Sequence, residues 1–398
     1  MRTRKNIASN LGHEDSGYLW RVSVRRWPSA LALAALFVAT LGGGCMFELG
    51  EVKDPVEGAP CPEGFGSCEG GPACGTNLLT SADHCGACGR SCLGGACTNG
   101  LCPVQTLTSA GTRPYGIAID DTFVYYADRD EGILRKVPKE GGATTTMASN
   151  QSRISFVAAD PGAGGFVYFT RNSPDGGISK VPKSGGAAVT LASTPWAWEI
   201  AIDESYVYFT TGGPENPPMT ATGTLQRVAK TGGAATRLAT TSVEPGSIAL
   251  DDTSIYFTDK GAQTVSRLNR LSPSAVEQIS ESQAGPDDIA IEGENLFWTC
   301  YGADLVVKRP KNATSATMNV ALVLGEGNPN GIAVGGNFVY YSTYRGNTLA
   351  RVSADGGPSL LLAEVDTPIR LVLDDQYVYF TGNGEETGGP DGVFRVSR

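Results

Sequence analysis

Beyond residue 102 the chain alternates short runs of β-branched, aromatic and small residues with clusters of Gly, Asp and Pro. The runs recur at a nearly constant interval. Anchored on the first aromatic of a V-Y-F-like triplet, the repeats fall at Tyr125, Tyr168, Tyr208, Tyr256, Phe297, Tyr340 and Tyr379, at intervals of 43, 40, 48, 41, 43 and 39 residues. Eight residues before the anchor an aliphatic opens an I-A-I-D-like run: Ile117, Ile200, Ile248, Ile289, Ile332 and Leu371, with the second repeat keeping the pattern from Val157. Each run closes on Asp120, Asp160, Asp203, Asp251, Glu292, Gly335 or Asp374. Two further short segments follow in each repeat, for example Gly132 to Val137 and Thr144 to Met147. Strand-sized runs with turn chemistry between them predict a four-stranded meander, and helical repeats are excluded because no long amphipathic helix pattern occurs.

A meander repeated about every 42 residues predicts a β-propeller blade. The fold class is therefore all-β, a seven-bladed propeller over residues 103–398. Small residues on the first strand (Ala118, Ala158, Ala201, Ala249, Ala290, Ala333) suit the crowded axis, and aromatics suit the wider second strand. The seventh repeat stops after a third strand. Residues 103–109, P-V-Q-T-L-T-S, resemble the fourth strand A-V-T-L-A-S at 188–193, so an N-terminal strand is expected to complete the last blade and remove an open edge.

The motifs Pro245 to Asp251 (P-x-x-I-A-x-D) and Tyr256 to Asp259 (Y-F-T-D) resemble the NHL and YWTD propeller groups, with Phe297-Trp298-Thr299 nearest to the tetrad. The fourth tetrad position is Asp only at Asp128 and Asp259, and YWTD propellers normally have six blades, so the resemblance implies architecture and not the receptor biology of that group. Seven-bladed streptogramin lyases are also similar in architecture. They rely on a histidine base, and here no His follows His84.

Eight of the ten cysteines lie between Cys61 and Cys102: Cys61, Cys68, Cys74, Cys85, Cys88, Cys92, Cys97 and Cys102. So Gly-rich a stretch, poor in large apolar residues, needs cross-links to fold, and four disulfides are expected over 61–102. Zinc at Cys85-x2-Cys88 with His84 is the rival reading, weakened by the lack of a second close pair. The segment resembles a small Cys-rich repeat of predicted bacterial surface lipoproteins, and a stiff spacer or a secondary binding module is expected. Upstream, residues 30–41 (ALALAALFVATL) follow Arg25 and Arg26 and precede Gly42-Gly43-Gly44-Cys45. This reads as an export signal over 1–44 that resembles a lipobox, with Cys45 acylated, 45–60 a linker, and Met46 favouring the outer membrane. The chain is expected to be periplasmic or extracellular and to meet the membrane through that lipid alone.

Composition narrows the chemistry. With 31 basic against 41 acidic residues the formal charge is -10, which gives no footprint for nucleic acid. Two histidines, His13 and His84, leave little scope for histidine catalysis. In a propeller the start of each inner strand and the end of each second strand share one channel mouth. That ring is expected to hold Tyr115, Trp196, Trp198, Glu199, Asp287, Asp288, Asn330 and Arg370, with Trp196 and Trp198 as a common platform for a protein, peptide or glycan ligand and Glu199 meeting Asp288 or Arg370. No catalytic residue and no obligatory cofactor is assigned. The alternative is a lactonase-like enzyme with calcium held by Glu199, Asp288 and Asn330. The third-strand cations Lys136, Lys180, Arg227, Arg267, Lys308, Arg351 and Arg395 recur too regularly for a ligand site and are expected to be structural. Cys300 is expected to be buried and unpaired.

Overall fold

Each V-Y-F-like triplet lies in a six-residue strand whose central residues are buried on both faces, because each blade packs between two others. The computed structural model describes residues 47–49, 61–69, 71–212, 222–242, 244–273, 275–313, 318–384 and 391–398. The expected signal segment 1–44 and Cys45 lie outside the described residues. Seven inner strands form the ring: Pro114–Ile119, Ile154–Ala159, Ala197–Ile202, Pro245–Leu250, Pro286–Glu292, Pro329–Gly335 and Pro368–Leu373. Each opens an antiparallel four-stranded blade. Each packs on the next, and blade seven returns to blade one. The expected closure is observed: Gln105–Thr108 is the outer strand of blade seven, pairing Val393 with Thr108 and Arg395 with Gln105.

Crowding at the axis accounts for the small residues there. A methyl on Gly116 would stand 2.5 Å from the Ser155 carbonyl of blade two. The hydroxyl of the Y-F-T motif has a definite task. In blade four, Thr258 accepts from the Ser247 amide (2.8 Å) and donates to the Asp287 carbonyl of blade five (2.6 Å). In blade five, Thr299 does the same between the Asp288 amide (3.0 Å) and the Asn330 carbonyl of blade six (2.9 Å). These buried hydroxyls stitch neighbouring inner strands whose backbones do not pair.

A second belt runs round the opposite face. The turn carboxylate of a blade accepts from its own turn amides and anchor tyrosine and pairs with a cation from the next blade: Lys183 to Asp120 (2.8 Å), Lys230 to Asp160 (2.5 Å), Lys311 to Asp251 (3.2 Å) and, across the closure, Lys139 to Asp374 (2.9 Å). Tyr125, Tyr208 and Tyr379 donate to Asp120, Asp203 and Asp374. The third-strand cations serve the same joint: Lys136 donates to the Lys183 carbonyl, Lys180 to that of Lys230 and Arg267 to that of Lys311. Their structural reading holds. At the joint of blades five and six, Glu292, Phe297 and Ala354 replace the three partners.

Burial alone would raise the pKa of Asp120, but the Lys183 ammonium, the Tyr125 hydroxyl and the turn amides outweigh it and hold it below the usual 3.8, and Asp160, Asp203, Asp251 and Asp374 behave alike. A depressed carboxylate stabilises the fold above its unfolded pKa and loses that contribution as pH falls through the folded value. Lys183→Met strands the buried Asp120. It is expected to cost about 3 kcal/mol near neutral pH. Urea unfolding followed by tryptophan fluorescence checks the loss, which should shrink in acid below the unfolded Asp pKa.

The cysteine segment carries four disulfides, Cys61–Cys74, Cys68–Cys88, Cys85–Cys97 and Cys92–Cys102, so the eight thiols are paired and not zinc ligands. His84 instead accepts the Gly89 amide through Nδ1 (2.9 Å). The expected spacer is a docked module. Cys85, Cys92, Cys97 and Cys102 share one apolar cluster with Leu349, Leu362, Phe380 and Val396 of blades six and seven. Arg90, 2% exposed, donates to the carbonyls of Cys85 and Gly100 in the module and of Leu362 and Ser397 in the ring. Docking occurs because so small a segment gains from sharing the ring's core. A short strand, Phe47–Leu49, pairs in parallel with Asn319–Leu324, the outer strand of blade five.

Candidate functional site

The channel mouth is built by a repeated irregularity. In all seven blades the register between inner and second strand shifts after the first residue, as between Pro286 and Ile289. Such a bulge sets two residues against one and re-aims their side chains. At these bulges stand Tyr115, Trp198, Glu199, Asp287, Asp288, Asn330 and Arg370.

Arg370 is the hub. It reaches from blade seven to Glu199 of blade three (2.9 Å) and to Asp287 (3.6 Å) and Asp288 (4.0 Å) of blade five. Lys260 meets Asp287 at 3.0 Å. One guanidinium shared among three buried carboxylates cannot hold all three as anions, and they divide accordingly. Asp287, with Lys260 and Arg370 overcoming its burial, is held below the usual range. Glu199 is pushed up to about 8, chiefly by burial, with the charges of Asp288 and Asp287 adding and Arg370 opposing. Burial likewise raises Asp288, whose carboxylate accepts the amides of Ile289 and Ile332 (3.0 Å each).

Beside the hub lies an aromatic plug. Trp198 packs at 5.8 Å from Tyr115 and 5.1 Å from Phe156, and the Arg129 guanidinium stands 5.2 Å from both the Tyr115 and Trp198 rings. Arg370 lies 5.1 Å over Phe156. Arg129 also borders a cavity of about 560 Å³ on the mouth face, with Arg113, Asp130, Gln151 and Arg153 on its wall. The expected cross-ring contact of Glu199 with Arg370 is present. The tandem-indole platform is not. Trp196 precedes the strand at φ 59°, a left-handed conformation that breaks the alternation needed to align it with Trp198, and Trp198 pairs instead with Tyr115 and Phe156.

The three calcium candidates do not fit an ion. Glu199 is engaged by Arg370, Asp288 by two amides, and the Asn330 side-chain oxygen accepts from the Ser342 hydroxyl (3.0 Å). Among the described residues the three carboxylates do not converge as ligands for a common ion. Arg129, Lys260 and Phe156 were not among the expected site residues. A signal existed for two of them: Arg129 and Lys260 both stand four residues after their anchors Tyr125 and Tyr256, at the same blade position. Buried Cys300 lies 3.6 Å from the Gln283 side-chain oxygen, behind the wall of blade five.

No protein-family profile matches the chain. No curated protein matches it either. Solved structures share its fold: a catalytically inactive virginiamycin B lyase variant from Staphylococcus aureus crystallised with quinupristin (15% identity, TM-score 0.60, 74% of this chain and 98% of that one), a streptogramin B lyase (14%, 0.59, 74% and 97%) and the computationally designed protein Ika8 (11%, 0.56, 74% and 100%). At such identities the likeness concerns architecture alone. The four disulfides indicate an oxidising, periplasmic or extracellular setting, and among the described residues no helix is long and apolar enough to cross a membrane.

Proposed function

We propose that this protein is an exported binding propeller, tethered by a lipid on Cys45, that holds a peptide or glycan at its channel mouth. The observation that carries the reading is the junction of the aromatic plug with the cavity: Arg129 lies against Tyr115 and Trp198 on one side and borders about 560 Å³ of open space on the other. A ring face beside a guanidinium suits a sugar ring or a peptide side chain with a neighbouring carboxylate. The lactonase alternative is disfavoured because its candidate metal donors are already engaged by Arg370, backbone amides and Ser342.

Peptide and glycan arrays probed with the wild type, Trp198→Ala and Arg129→Ala test the reading. Each substitution is expected to weaken the best hits by about tenfold or more, corresponding to roughly 1–3 kcal/mol. An unchanged binding profile in both folded variants refutes the site, and a calcium-dependent rise in melting temperature would restore the enzyme alternative.

A further inference from the structure

We infer that the protein lies against the bilayer by the edge of blades four and five, with its channel mouth turned away from the lipid. The inference rests on the Cys45 anchor proposed above and adds the surface that meets the membrane. The strand Phe47–Leu49 fixes where the anchor leaves the ring, since it runs parallel to the outer strand of blade five with Phe47 opposite Asn319. In every blade the outer strand starts at the face opposite the mouth, because the inner strand starts at the mouth and three antiparallel reversals follow. Phe47 therefore stands at the face opposite the mouth. One residue, Met46, stands between it and Cys45, and the two chain steps reach at most about 7 Å.

Exposed apolar side chains stand at the same face on blades four and five. Leu271 (75% exposed) lies in the loop before the outer strand of blade four, on the side that faces Tyr206 of blade three, Val276 (44%) opens that outer strand, and Met318 (41%) immediately precedes the outer strand of blade five, whose last residue Leu324 (50%) is exposed at the mouth end. Leu271 is the most exposed large hydrophobic residue among those described. Its neighbours in sequence, Arg270 and Ser272, offer it no apolar cover. The occupant is the acyl and headgroup boundary of the leaflet that holds the Cys45 lipid. So short a tether brings that leaflet to the edge of blade five at the face opposite the mouth, and shallow apolar side chains on that face add a second point of attachment to a lipidated one. Val189 on blade two is also exposed (52%), at the same face but on another blade, which makes it a control for tilt.

The test uses the mature lipidated protein purified from membranes and reconstituted in phosphatidylcholine and phosphatidylethanolamine vesicles. With Cys45 in a thioether, the module oxidised and Cys300 buried, a thiol introduced at Leu271, Met318, Val189 or Ser152 of the mouth face takes a fluorophore selectively. Nitroxide lipids labelled at a shallow acyl depth are expected to quench probes on Leu271→Cys and Met318→Cys severalfold more than those on Val189→Cys and Ser152→Cys. Equal quenching at all four sites, or strongest quenching at Ser152→Cys, overturns the orientation while leaving the anchor intact. Intact-mass measurement of the same preparation separates the two ideas: an unmodified Cys45 refutes the anchor and this inference with it.

Discussion

Arg90→Ala is expected to lower the stability of the oxidised protein by at least about 3 kcal/mol, more than any surface substitution. Burial and the neighbouring Arg351 pull the Arg90 guanidinium down to about 10, so it remains a cation near neutral pH. It is spent on four carbonyls, two in the cysteine module and two in blades six and seven. Removing the side chain leaves those buried acceptors without their donor. The same contacts bear on truncation. A free spacer would be dispensable, whereas a chain lacking residues 61–102 loses four core cysteines packed on Leu349, Leu362 and Val396 as well as Arg90. Differential scanning calorimetry of the wild type, Arg90→Ala and the truncation checks this. A truncation as stable as the intact chain would show that the module merely rests on the ring.

Arg370→Met is expected to be comparably damaging near neutral pH, by about 3 kcal/mol, because it removes the cation shared by Glu199, Asp287 and Asp288 and leaves only Asp287 with a second one, Lys260. Its pH dependence is the sharper test. In the wild type Glu199 has a folded pKa of about 8 against an ordinary 4.5. The unfolded chain gives up its proton first. The contribution of this group is complete below 4.5 and is lost as pH rises toward 8, the opposite sense to the turn aspartates. Unfolding measured from pH 4.5 to 8 should therefore show declining stability from this group, and Glu199→Gln should flatten the profile. In Arg370→Met the decline should steepen, since Glu199 and Asp288 lose the cation that opposes their burial while Asp287 keeps Lys260. A profile unchanged by Glu199→Gln would mean that Arg370 keeps Glu199 ionised throughout.

Particular residues show how far the chain could be read. The anchors Tyr125 to Tyr379 identified all seven second strands, because a strand buried on both faces must be apolar along its length and the repeat supplies that pattern seven times. Residues 103–109 revealed the closing strand through their likeness to 188–193. At the mouth seven of the eight residues named from the sequence stand at the bulges and Trp196 does not, while Phe156 escaped notice, since the second repeat carries extra residues and its P-x-x-I motif has lost its proline. Trp196 illustrates the other limit. Two indoles spaced by one residue share a face only if the backbone is extended, and a single left-handed φ at the first of them redirects it.

By itself the sequence determined the repeat, the number of blades, the closing strand and the need for cross-links, because these follow from local strand chemistry and from a hydrophobic inventory too small for residues 61–102 to fold alone. The tertiary structure decided which residues meet across the ring: Arg370 with Glu199, Lys139 with Asp374, and Arg90 with Leu362 and Ser397. Those pairs are separated by 171, 235, 272 and 307 residues. A repeat period places each residue at its level in its own blade and so narrows its partners across the channel, as for Glu199, without choosing among them or among those across a joint. That choice is made only when seven blades close, at a geometry set by the packing of aromatic second strands, and one cation is left within reach of three carboxylates.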